Sequence, residues 1–351
     1  MTNQKCIKND GTRIITVIIS LAILTSCSAV KLIIMADGDV FVYMGGRAPQ
    51  HVARVRIDRS VEEIEESAFE GCEHLVHVET HDGIRSVGYR AFLGCKLLRR
   101  INLKHIVEIS MMAFAGCGNL ESVEFGGELE TIGRYAFEGS ISIKYLKLPS
   151  VIIEAGAFWM CSALTDVDIS ERLETIESGA FYGCECLQRI TIPLKRYLFE
   201  YDDILQQYTQ FGNCEHLVTA DLVEGAHTKT VASLHMESWS TEMIAEIDRI
   251  NKVLPNTPTN EKTDEIRQWM DSVNDKMDHY KAEHYRYVKE GITLLELSLW
   301  KAKLDEKGDN CAEGRTKKAK IDPDSARRER RITCGADIVI KNVLPFLQQL
   351  E

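Results

Sequence analysis

Cys72, His74, His77 and His81 fall close together in the chain, and thiolate plus imidazole at short spacing is the donor set of a zinc site. A second candidate is "HYKAEH" (279–284), which superficially resembles a zincin helix. That motif needs histidines four apart on one helix face, whereas His279 and His284 are five apart and diverge, so metal hydrolysis is not expected. A third possibility is thiol chemistry, because Cys72, Cys95, Cys117, Cys161, Cys184 and Cys214 stand in near-copies of one phrase, "AFEGCEHL" at 68–75 being the first.

The phrase decides among these. An Ala-Phe pair recurs at Phe69, Phe92, Phe114, Phe137, Phe158 and Phe181, at intervals of 23, 22, 23, 21 and 23 residues, with a decayed copy at Phe211. Three residues after each Phe comes Cys, or Ser140 in one copy, and three further on an aliphatic residue: Leu75, Leu98, Leu120, Ile143, Leu164, Leu187 and Leu217. The equivalents of His74 are Leu97, Asn119, Ser142, Ala163, Cys186 and His216, which share no ligand chemistry, so neither zinc nor any other metal or cofactor is expected. Disulfides between successive copies are not expected either. Parallel rungs lie ~4.8 Å apart and in-register Cβ atoms keep that spacing, beyond the ~3.5–4.5 Å that a relaxed disulfide requires. A column of buried free thiols is predicted, with Ser140 as a near-isosteric lapse and Cys186 pointing to the opposite side from Cys184.

These residues need elements to hold them. Each aliphatic residue opens a phrase of the form LxxVxL ("LRRINL", "LTDVDI", "LQRITI"), whose alternation predicts a short strand with one face buried. "VARVRI" (52–57) fits the same template, giving about eight rungs. A second apolar pair precedes most Ala-Phe copies: Val61 and Ile64, Ile84 and Val87, Ile106 and Ile109, Leu129 and Ile132, Leu173 and Ile176. A unit this short cannot bury its own apolar face, so it must stack into a solenoid with Phe and Leu in internal columns.

The intervals, the AFxGCxxL phrase and the IxxIxxxAF ahead of it resemble the BspA-type leucine-rich repeat over residues 50–225. The resemblance implies a non-enzymatic recognition surface, of a kind found in bacterial surface proteins and expanded in single-celled eukaryotes, and it brings no catalytic residues. Departures are Ser140, "FWMCSAL" (158–164) without its Gly, and the insertion "LKRYLFEYDDILQQYTQ" (194–210), whose Tyr197, Phe199, Tyr201 and Tyr208 are expected to cap the last rung.

On such a solenoid the strand residues that do not point inward form the candidate protein-binding face. They are Arg54 and Arg56, His77 and Glu79, Arg100 and Asn102, Ser122 and Glu124, Tyr145 and Lys147, Asp166 and Asp168, Arg189 and Thr191, with Thr219 and Asp221 on the last rung. Arginine and tyrosine are favoured interface anchors, so the expected partner is a protein or peptide.

After about residue 228 the period changes. Met243, Ile247, Ile250 and Leu254 predict one amphipathic helix, ended by "PNTPTN". Ile266, Met270, Val273, Met277, Tyr280, His284, Tyr287, Gly291 and Leu294 predict a second, over about 263–303. The two fold back as a hairpin or small bundle, joined by a third segment at 335–350, or the long helix pairs as a homodimer. A charged linker is expected near 305–331, with basic runs "EGRTKKAK" and "ARRERR". The fold class is therefore α+β: a leucine-rich-repeat solenoid at 35–228, then an α-helical module at 229–351.

The 42 basic and 53 acidic residues give a net charge of -11, which argues against nucleic acid as a main partner. Residues 1–34 have the basic start, apolar run (14–24) and small-residue end of a secretory signal, with cleavage after Ala29; alternatively they are a dispensable extension ahead of Met35. Membrane attachment is expected only if that apolar segment is retained. The two readings give a secreted or surface-anchored adhesin or receptor-like module, or an intracellular interaction scaffold. No nucleophile elbow, phosphate loop, zincin motif or dinucleotide fingerprint is present, so no enzyme is expected.

Overall fold

The computed structural model describes residues 35–36, 40–200, 205, 207–223 and 236–309. The signal-like segment, most of the charged linker and the third segment at 335–350 lie outside the described residues.

The LxxVxL phrases form short parallel strands whose side chains alternate in and out, as in Arg54–Ile57, Arg100–Leu103 and Tyr145–Leu148. Pairing is in register from turn to turn: Arg54 stands opposite His77, His77 opposite Arg100, and Arg100 opposite Ser122. A second stretch runs from Tyr145–Leu148 through Asp166–Ile169 and Arg189–Ile192 to Thr219–Leu222. The ladder is interrupted between Ser122–Phe125 and Tyr145–Leu148, and there Val123 and Phe125 are only half-buried. One rung was not expected. Val40–Tyr43 pairs in parallel with Arg54–Ile57, and Tyr43 sets its ring 4.9 Å from Phe69, extending the aromatic column by one place.

The second apolar pairs build a second parallel ladder of two-residue strands, from Glu63–Ile64 through Ser86–Val87, Glu108–Ile109, Thr131–Ile132 and Ile152–Ile153 to Thr175–Ile176. Between the two ladders lies the Ala-Phe turn. Its backbone also pairs from turn to turn, Phe69 N–H donating to Ala91 O and Phe92 N–H to Ala113 O, each at 2.7 Å. The Phe rings stack almost parallel, with centroids 5.0 Å apart from Phe69 to Phe92 and 5.3 Å apart from Phe158 to Phe181, in offset contact at the rung spacing.

The turn explains the Gly of the phrase. The residue before each Cys, and before Ser140 in its place, is left-handed: Gly71, Gly94, Gly116, Gly139 and Gly183 have φ between 65° and 73°. Glycine adopts that conformation without a Cβ penalty. Met160 at 55° and Asn213 at 56° fill the position in the two copies without Gly.

The helical module covers the end of the solenoid. Helix α1 spans Met236–Val253 and helix α2 spans Lys262–Asp309, which is longer at both ends than the periodicity predicts. They pack as the expected hairpin, burying Trp239, Met243 and Ile250 against Ile266, Trp269, Met270, Val273 and Met277 in a core continuous with that of the solenoid. Asn251 Oδ1 accepts the Ala220 N–H of the last strand at 2.8 Å, and Thr263 Oγ1 accepts the Phe211 N–H at 3.1 Å. Lys262, 2% exposed, donates to the carbonyls of Cys214, Glu215 and Leu217 at 3.0, 2.9 and 2.8 Å. Main-chain groups that a further rung would have satisfied are thus taken up by α1 and α2.

The insertion contributes differently from expectation. Phe199 is buried, bridges to Ile176 and meets Phe211 edge-on. Tyr208 packs on Trp159 and Tyr182, Tyr197 is 86% exposed and caps nothing, and Tyr201 lies outside the described residues.

Candidate interaction surface

The cysteine column is a hydrogen-bonded part of the core. Cys95, Cys117, Cys161, Cys184 and Cys214 each donate Sγ–H to the carbonyl of the Phe one turn earlier, at 3.2 or 3.3 Å, and Ser140 Oγ does the same to Phe114 O at 3.2 Å. Burial pushes the thiols of Cys117, Cys161 and Cys214 up to about 12, so they stay protonated and weakly nucleophilic. Cys186, two residues from Cys184, is exposed, and it lies in a turn rather than in an extended segment.

The histidines beside Cys72 are not brought together with it. Cys72 is buried, while His74 and His77 face outward. His81 closes a turn: its Nδ1 accepts the Gly83 N–H at 3.0 Å, which leaves Nε2 to donate to Asp58 O at 2.9 Å. Among the described residues no three His, Cys, Asp or Glu side chains converge as a metal would need.

The outward strand positions stand in two rows within each of the two ladder stretches, because pairing there is in register, and the break between Ser122–Phe125 and Tyr145–Leu148 divides the rows. Arg54, Arg56, His77, Arg100, Asn102, Glu124, Tyr145 and Lys147 are exposed; Glu79, Ser122, Asp166, Asp168, Arg189, Thr219 and Asp221 are half-buried. Thr191 departs from the expected pattern. It is buried, its hydroxyl accepting the Ile169 N–H at 3.2 Å and donating to Asp168 Oδ1 at 3.1 Å, so it supports the surface from beneath.

The two ends of this surface differ electrostatically. Toward the C-terminal end, Tyr145 Oη donates to Asp168 at 2.7 Å, and Arg189 bridges Asp168 at 3.2 Å and Asp221 at 3.0 Å. Burial alone would raise the Asp168 carboxyl, but hydrogen bonds from Tyr145 and Thr191 and the Arg189 charge hold it below the usual range. Toward the N-terminal end, Arg56 pairs with Glu79 at 2.7 Å and Lys104 with Glu124 at 2.9 Å, lowering both carboxyls. Arg54, Arg99 and Arg100 have no ion pair among the described residues. They surround Val76, which is 43% exposed, in an open groove also lined by His77 and Glu121. Arg99 and Val76 belong to the row immediately before the strands, which the alternation of the strands alone does not pick out.

Residues 50–152 and 98–217 match the BspA type leucine rich repeat region, in six copies. No curated protein matches the chain. Among solved structures, a leucine-rich repeat protein of T. pallidum is 26% identical and covers 54% of this chain and 90% of its own, with a TM-score of 0.42. One from Bacteroides ovatus is 25% identical over 49% of each chain, with a TM-score of 0.37. Residues 50–217 are thus a BspA-type leucine-rich repeat region, which this chain carries ahead of a helical C-terminal module.

Proposed function

We propose that the protein is a non-enzymatic interaction scaffold that binds a protein or peptide partner on the long-strand face of its solenoid. The observation that carries this reading is the division of labour within each turn. The recurring side chains Phe, Cys and Leu are consumed by the core, while the register leaves two rows of varied polar side chains, with Tyr145 51% exposed, along each of the two stretches of long strands. The buried thiols are protonated, and the recurring motif supplies no nucleophile with an adjacent base, so catalysis has no support from the described residues.

The test is affinity capture with the full chain, then titration of the captured partner against variants. Arg100→Ala together with Tyr145→Ala is expected to weaken binding by at least ~1 kcal/mol, the usual threshold for a contributing interface side chain. Ile141→Ser, exposed and off the strand rows, serves as the control and leaves affinity unchanged. Loss of binding in the control alone would place the partner elsewhere on the molecule.

A further inference from the structure

The groove around Val76 allows the partner chemistry to be narrowed, on the reading that the long-strand face is the binding surface. We propose that Arg54, Arg99 and Arg100 form a subsite for an acidic peptide segment carrying two carboxylates with an aliphatic residue between them. Three arginines line one groove in which Glu121 is the carboxylate, with Glu79 and Glu124 near enough to feel the charges of Arg54 and Arg100 without pairing with them, an unusual concentration on a chain of net charge -11. Elsewhere on the same face the arginines are already engaged, Arg56 by Glu79 and Arg189 by Asp168 and Asp221. A guanidinium left without a carboxylate keeps its planar fork of donors available, and that fork fits a carboxylate in bidentate fashion.

Spacing sets the peptide pattern. Arg54 and Arg100 are two rungs apart in register through His77, a separation of ~10 Å at ~4.8 Å per rung. An extended peptide crossing the rungs advances ~3.3 Å per residue and turns alternate side chains to opposite faces, so carboxylates four residues apart, ~13 Å along the backbone, share the face that meets the two arginines, and the long side chains take up the difference. Val76, on the intervening turn and 43% exposed, presents an apolar surface where the residue between the carboxylates would lie. A uniform polyanion such as a nucleic acid backbone offers nothing to that side chain, which favours the peptide.

The probe is the peptide Gly-Glu-Ser-Val-Ser-Glu-Gly, with blocked ends, titrated into the full chain beside its twin Gly-Gln-Ser-Val-Ser-Gln-Gly. The Glu peptide is expected to bind at least about tenfold more tightly at low salt, and the preference should shrink as salt screens exposed charges. Arg54→Gln and Arg100→Gln should each abolish the preference with an unchanged thermal melt, since both side chains are exposed. Arg56→Gln, whose parent side chain is already paired with Glu79, should keep it. Equal affinity for the two peptides, or a preference that survives Arg54→Gln and Arg100→Gln, overturns the acidic subsite. Tighter binding of a duplex DNA of matched charge, lost in the same variants, overturns it in favour of a general polyanion site. The broader reading fails separately, when the captured partner ignores Arg100→Ala with Tyr145→Ala.

Discussion

Lys262 Nζ lies 2.8 Å from the carbonyl oxygen of Leu217, and with it the first turn of α2 closes the last turn of the solenoid. The ammonium donates to three carbonyls from a site that is almost wholly buried, and burial lowers its pKa below the ordinary lysine value. Replacing it with Met keeps the aliphatic stem but strands those carbonyls, which should cost about 2–3 kcal/mol in urea unfolding. Removing residues 229–351 altogether should expose the edge of the Thr219–Leu222 strand and give an aggregating fragment on gel filtration. A monomeric, cooperatively folding fragment 35–228 would show that the helices do not cap the solenoid.

The left-handed residue before each cysteine gives a stabilising substitution. Met160 takes φ 55° where five other turns carry Gly, and its side chain is 52% exposed, so little packing is lost on its removal. Met160→Gly should raise stability by ~1 kcal/mol, the scale of the left-handed penalty for residues with a Cβ. Gly139→Ala should lower it by a similar amount. Paired denaturation curves check both signs, and a destabilised Met160→Gly would mean that its side-chain contacts outweigh the backbone relief.

Thiol labelling separates the core cysteines from Cys186, the exposed one among the described residues. Alkylation of the native protein at about pH 8.5, near the unperturbed thiol pKa, should modify Cys186 and leave Cys95, Cys117, Cys161, Cys184 and Cys214 intact until denaturant is added. Peptide mapping by mass spectrometry reads each site. Native-state modification of Cys117, whose thiol is pushed up to about 12 by burial, would contradict the hydrogen-bonded column.

What could be read from the sequence followed from how uniform each structural demand is. Phe, Cys and Leu do the same work in every turn, so their positions show as a period. The left-handed residue before Ala-Phe does not show, because Ser67, Arg90, Met112, Tyr135, Gly156 and Gly179 all meet the same backbone demand with different side chains. The two-residue strands of the second ladder are too short to alternate. Thr191 was legible as outward by parity, yet its hydroxyl is drawn into bonds with the neighbouring rung. A lone Lys262 at a helix start reads as solvent-facing until the end of the solenoid is set beside it. The core spacing of α2 holds from Ile266 to Tyr280 and then lapses, because α1 begins near Tyr280, where Trp239 meets that ring at 5.8 Å. Tyr287 and Leu294, further along the predicted seam, are 43% and 64% exposed.

The Tyr145–Asp168–Arg189 network makes part of the stability depend on acid pH. Asp168 is the acceptor at its centre, and its carboxyl sits below the ordinary value of 3.8 despite the opposing effect of burial. A carboxyl depressed in the fold contributes stability that is fully present above its unfolded pKa and is lost as pH falls through the folded one. The window therefore opens near the unperturbed aspartate value, ~3.9, and extends downward. Asp168→Asn keeps the shape and one acceptor oxygen but cannot titrate, so it should be less stable than the parent at neutral pH and lose less on acidification. Melting curves of the two proteins from neutral pH down into the acid range, well below the unperturbed aspartate value of ~3.9, carry the test. Parallel acid profiles for the parent and Asp168→Asn would mean that solvent at this half-buried site screens the network too well for Asp168 to anchor the C-terminal end of the surface.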